Sequence, residues 1–212
     1  MQTGSHPARW RLWDLALWGL LGLSFLLLWR FSPAERTLGT GIRPVYVHVG
    51  LIWTGMIGLV SAGLVGGWLL ATGQACWRPW ARATGWVACG FFLAGLLVSM
   101  WASQVNWGGV FLAEPRYLTH FAVLLAALVV QILAELPFFS SRVLGGLYLM
   151  VAGALLFSLR ATPLVLHPAN PVRASNALSI QLAFAGFFLL FLVAAAWMVI
   201  RLATASPSPR RS

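Results

Sequence analysis

The sequence predicts an all-α polytopic membrane protein, a bundle of six transmembrane helices. Three observations carry that expectation. Of 212 residues, 60 % are hydrophobic and 8 % charged, whereas a soluble domain carries roughly 25 % charge to cover its surface. Six runs meet or approach the roughly 20 apolar residues that a helix needs to cross a ~30 Å hydrocarbon core. Proline, glycine and arginine stand between the runs, where chain direction must reverse. The same composition excludes a disordered chain, a disulfide-stapled secreted module and an ordinary cytosolic enzyme.

A cytoplasmic tail, 1–11, leads into the first span, about 12–30. Arg9 and Arg11 before it and Ser32-Pro33-Ala34 after it would also suit a cleaved signal peptide. Asp14 interrupts its start, however, and Trp29-Arg30 stands where small residues are wanted, so a retained helix is expected. Gly41 and Pro44 precede the second span, about 45–71, which carries Gly63-x-x-x-Gly67, a spacing that permits close helix packing. Gly73 and Pro79 separate it from the third, about 84–103, with a similar Gly90-x-x-x-Ala94. Pro115 precedes the fourth, about 117–137, and Pro137 closes it. The fifth, about 143–160, is the shortest, without a charge from Val143 to Leu159. Pro163, Pro168 and Pro171 fill the next connection, and the sixth span, about 177–201, has no charge from Ala174 to Ile200. The transmembrane domain thus covers 12–203, and 204–212 reads as a disordered tail.

The net charge of +10 comes from fourteen arginines and no lysine, set beside the apolar runs. That spread suits interface anchors and topology signals in a lipid bilayer and gives no nucleic-acid stripe. Six spans return the chain to its starting side. Arg9, Arg11, Arg78, Arg82, Arg142, Arg201, Arg210 and Arg211 fall there, against Arg30, Arg36, Arg43, Arg116, Arg160 and Arg173 opposite. Eight against six favours cytoplasmic termini. Cys76 lies in a connection and Cys89 inside a span, so no disulfide is expected.

The face opposite the termini gathers the chemistry. His48 and His120 stand in the first turns of the second and fourth spans, and His167 in the connection before the sixth. His6 falls in the polar tail. The 104–116 connection adds Trp107, Phe111, Glu114 and Arg116. Two neutral imidazoles from different helix ends, with no thiolate or carboxylate beside them, suit haem iron better than zinc. Flat aromatics stack on a porphyrin, and arginine holds propionates through charge-assisted bonds. Taken singly, each histidine also fits an interfacial residue making one hydrogen bond, and the aromatic belt of membrane proteins accounts for most of the tryptophans.

Three segments then resemble a known family. Arg43-Pro44-Val45-Tyr46-Val47-His48-Val49 resembles the Tyr-x-His-Val stretch that opens the second span of the cytochrome c assembly family, in its CcmC/CcsA-like branch. Residues 107–116, WGGVFLAEPR, resemble its tryptophan-rich WWD loop, and Leu166-His167-Pro168 resembles its second histidine segment. Order, spacing and six-span topology agree over about 10–203. The resemblance implies a haem-handling protein of cytochrome c maturation in the bacterial plasma (inner) membrane, not an enzyme. Haem b would be bound transiently, with His48 and His167 as axial ligands. Trp107, Gly108, Phe111, Glu114, Pro115 and Arg116 would form the covering loop, with Arg116 a propionate partner and Glu114 fixing the loop. The partners it implies are haem, a haem chaperone or apocytochrome, and other maturation subunits of the membrane. The chain departs from the pattern at Val110, Phe111 and Ala113, where the family has further aromatics, and at Glu114, where it has aspartate. Two alternatives stay open: an accessory subunit that kept the fold and lost haem, and a b-type electron-transfer subunit.

Overall fold

A computed structural model describes residues 12–161 and 176–205. Among them are six helices long and apolar enough to cross a membrane: α1 (Leu12–Phe31), α2 (Ile42–Thr72), α3 (Arg78–Trp107), α4 (Pro115–Glu135), α5 (Ser141–Ala161) and α6 (Leu178–Ala205). The protein is an all-α, multi-pass membrane bundle. Its near face is where α1 begins and α6 ends; its far face carries the 32–41 and 108–114 connections.

Each helix overlaps one of the expected apolar runs and overruns it at several ends, while α4 stops at Glu135, two residues short of the expected 137, because Pro137 cannot continue it. α3 begins six residues earlier than expected, directly after a 3-10 turn at Ala75–Trp77, because Pro79 fits a helix's first turn. The long stems of Arg78 and Arg82 let that turn continue into the interface while their charges stay wet. Pro44 is likewise accommodated in the first turn of α2. α6 runs to Ala205, so Thr204 and Ala205, expected in a disordered tail, are helical. Residues 1–11 and 206–212, the remaining tail segments, lie outside the described residues.

α2 is the hub. It packs most extensively on α3, then on α5 and α6, while α4 closes the side between α3 and α5. Lipid tails are as apolar as leucine, so close van der Waals contact, not hydrophobic exclusion, holds such helices together. Glycines create it. A Cβ on Gly66 of α2 would come within 2.8 Å of the Gly145 carbonyl of α5, and one on Gly55 within 2.6 Å of the Phe92 amide of α3. Gly63 also packs closely, against Ala152, as its motif suggests, but Gly67 meets only a leucine methyl at 3.9 Å. The Gly90 position is not a packing seam, since a Cβ there would meet nothing within 4 Å, although Ala94 of the same motif packs against the core. Gly90 lines an apolar groove with Trp86, Phe91 and Met198 instead.

Cross-helix polar pairs complete the bundle. Asp14, 1 % exposed, pairs with Arg201 at 3.2 Å and accepts a 3.1 Å bond from the Trp197 indole, tying α1 to α6. Buried Gln131 accepts from the Tyr148 hydroxyl at 3.2 Å. Glu135 receives Arg82 at 2.8 Å and the Trp86 indole at 2.9 Å. Cys76 and Cys89 are unbridged.

Candidate functional site

The far face is built on the last turns of α3. Gly108 ends that helix in the left-handed region, φ 71°, and its amide bonds back to Gln104 at 3.0 Å. A glycine is needed there because a side chain at positive φ is strained. Ser103 then donates to the Gly109 carbonyl at 2.6 Å, and the Asn106 amide donates to Gly41 at 2.9 Å, joining both far-face connections to one helix end. Trp107, Gly108, Phe111 and Leu112 are exposed along this rim. Phe111 is 53 % and Trp107 42 % exposed, so part of each ring faces outward.

Glu114 occupies the N-cap position of α4 and is buried, followed by Pro115 in the first turn. Arg116 and His120 are one turn apart and share a face of α4. The Arg116 Nε and the His120 Nε2 are buried and have no hydrogen-bond partner among the described residues. From α2, Arg43 reaches the Arg30 carbonyl at 3.3 Å, bracing the 32–41 connection. Glu35 organises that connection: its carboxylate accepts from the Thr37 hydroxyl, the Leu38 amide at 2.9 Å and the Thr37 amide at 2.8 Å. These bonds, the hydroxyl first, hold its pKa below the ordinary carboxylate value of 4.5.

His48 is half-buried on α2, and its Nδ1 lies 2.9 Å from the Gly95 carbonyl of α3. A carbonyl only accepts, so Nδ1 carries a proton. The approach exists because Gly95 lets the α2 backbone come close: a Cβ there would stand 2.9 Å from the Ile52 amide. His120 makes an edge contact with Phe92, ring centroids 5.3 Å apart. Phe92 and Gly95 lie three residues apart on α3, so the two imidazoles bracket one face of that helix, and His120 lies within electrostatic reach of Arg116 and His48.

The structure therefore brings His48, His120 and Arg116 together in the far half of the bundle, with the two imidazoles against Gly95 and Phe92 near the middle of α3. Glu114 and Pro115 adjoin Arg116 at the head of α4, whereas Trp107, Gly108 and Phe111 lie at the rim, about 18 Å further along α3 than Gly95. His167, expected as the second iron ligand, lies outside the described residues, as does Arg173. Among the described residues, no three His, Cys, Asp or Glu side chains stand close enough to hold a metal ion. Sequence reasoning left His120 open and did not anticipate the bond between Ser99 and Tyr117, which joins α3 to α4 just beside it. No signal in a single sequence pairs those two residues. No family model matches the chain, and no curated protein matches it closely.

Proposed function

We propose that this membrane protein handles haem in cytochrome c maturation, holding it transiently at the far face for transfer to a haem chaperone or apocytochrome. One observation carries the reading: the His48 imidazole is fixed with its proton on Nδ1 by the Gly95 carbonyl. A second-sphere carbonyl of this kind orients a metal-binding histidine and raises the basicity of its other nitrogen. The remaining residues fit the same cofactor. Arg116 and Arg43 each offer a buried Nε without a hydrogen-bond partner among the described residues, and guanidinium suits propionates. Exposed Trp107 and Phe111 offer flat faces at the rim.

Haem b, when bound, would be held by His48 and, following the family resemblance, by His167, and would supply the iron. The chain's own residues orient the imidazole, neutralise carboxylates and keep the loop in place through Glu114 at the head of α4. No bond-making chemistry is required of them. Delivery favours an exposed edge and modest affinity, which the partly exposed Trp107 and Phe111 suit. Under this reading the protein sits in a bacterial plasma membrane with its near face cytoplasmic, beside other subunits of the maturation machinery.

The test is an optical spectrum of the detergent-purified protein, oxidised and reduced, with and without added haem. A haem band that His48→Ala and His167→Ala each weaken or shift is expected. A wild-type protein that shows no band after reconstitution with excess haem would sink the proposal, and the accessory-subunit alternative would take its place.

A further inference from the structure

Two buried nitrogens on one face of α4 are left without partners. The Arg116 Nε and the His120 Nε2 make no hydrogen bond among the described residues. Their side chains, four residues apart, share a face of the helix, and the arginine acts electrostatically on the imidazole. Glu114 heads the same helix, yet it does not bond to the Arg116 Nε. The neighbouring hydroxyls are engaged elsewhere. Tyr117 is bonded to Ser99 of α3, and Thr119 returns its hydroxyl to the Pro115 and Arg116 carbonyls at 3.1 and 3.0 Å. The Phe92 ring, edge-on to His120, adds only an apolar wall.

A buried polar nitrogen without a partner is uncommon, because it has given up water and received nothing in return. Here there are two, one turn apart. The Nε of Arg116 only donates, so whatever completes it is an acceptor. The His120 ring offers the same acceptor a second N–H with its proton on Nε2, a tautomer that nothing bonded to Nε2 opposes. One acceptor with two oxygens and a negative charge answers both, and guanidinium pairs with a carboxylate in particular. The order along the helix suits entry from the far face. Arg116 stands at the mouth, and His120 lies about 6 Å deeper along the axis.

We propose that Arg116 and His120 form a carboxylate site inside the bundle, with the imidazole binding through Nε2. A haem propionate and a free aliphatic carboxylate from the aqueous side share this chemistry; the first source rests on the haem reading, and the second does not. His120 thereby holds the ligand's acid group and is not an iron ligand.

The experiment titrates the detergent-purified full chain with haem, haem dimethyl ester and sodium propionate. The first two are read by their optical bands. Propionate is read by the His120 nitrogen resonance of isotope-labelled protein, assigned through His120→Leu. Haem is expected to bind roughly tenfold more tightly than its ester, the worth of one charge-assisted bond. Arg116→Gln and His120→Leu should each shrink that ratio, and His120→Gln, which keeps an N–H near the position of Nε2, should restore it. A propionate shift with haem and ester bound alike, or with no haem band at all, identifies a free carboxylate as the ligand. A haem band with equal affinity for the ester and no propionate shift overturns the site and leaves the haem reading intact. A His120→Leu variant that keeps the wild-type ratio does the same. With neither band nor shift, both proposals fall. The wild-type comparison of haem with its ester requires no variant to fold.

Discussion

Glu35 carries the far-face connection through one carboxylate, and its protonation state therefore sets how firmly that connection is held. Its folded pKa lies below 4.5, chiefly through the Thr37 hydroxyl and then the Leu38 and Thr37 amides. A depressed carboxylate pKa contributes stability that is present above the unfolded value and lost as pH falls through the folded one. Amide exchange at Thr37 and Leu38 is expected to be slower in the wild type than in Glu35→Gln at pH 7. The difference should close only as pH falls below the ordinary carboxylate value of 4.5 and through the lowered folded one. A gap that persists under acid would show that the carboxylate does not hold these amides. Residue type and position were legible for His48, Glu114 and Arg116, which all fall in the far half. Their partners were not. The Gly95 carbonyl that fixes His48 is 47 residues away in the chain, and no periodicity specifies a contact between two helices at that level. His120 likewise gave no sign that its Nε2 would be buried without a partner, a state that costs about 1–3 kcal/mol in an ordinary core.

Helices were legible as spans because apolar length is a direct consequence of bilayer thickness. Their packing seams were only half legible, and the two small-residue motifs show why. Gly63-x-x-x-Gly67 and Gly90-x-x-x-Ala94 look alike as strings, yet α5 meets the first and a Cβ on Gly90 of the second would have nothing within 4 Å. Small residues permit close approach; a facing helix must still supply it. A pair of substitutions separates the cases. Gly66→Val places a Cβ within 2.6 Å of the Tyr148 Cβ and 2.8 Å of the Gly145 carbonyl, and overpacking of this kind costs about 1–3 kcal/mol. Its apparent unfolding temperature in detergent should fall by several degrees. Gly90→Val has open space before it and should unfold within a degree or two of the wild type. If the two variants lose stability equally, α2 and α5 do not approach as closely as described.

In the whole molecule the imidazoles lie in the far half of the bundle and the ion pairs Asp14–Arg201 and Arg82–Glu135 on the near face. An even number of spans produces this separation, since the odd and even connections alternate between faces. The pairing of Asp14 at the start of α1 with Arg201 near the end of α6 closes the near face across 187 residues of chain. Orientation in the membrane is the least legible property, because charge counting rests on small loops whose arginines nearly balance. The molecule carries its own reporter for it. Cys76 is exposed in the near-face connection, whereas Cys89 is buried in the bundle. A membrane-impermeant maleimide should therefore modify one thiol only, and Cys76→Ser should abolish the label. With a cytoplasmic near face, labelling is expected in inverted membrane vesicles and not in intact spheroplasts. The opposite pattern would turn the histidine face toward the cytoplasm. Haem delivery to an extracytoplasmic acceptor would then be impossible from this site, even if His48 binds iron as proposed.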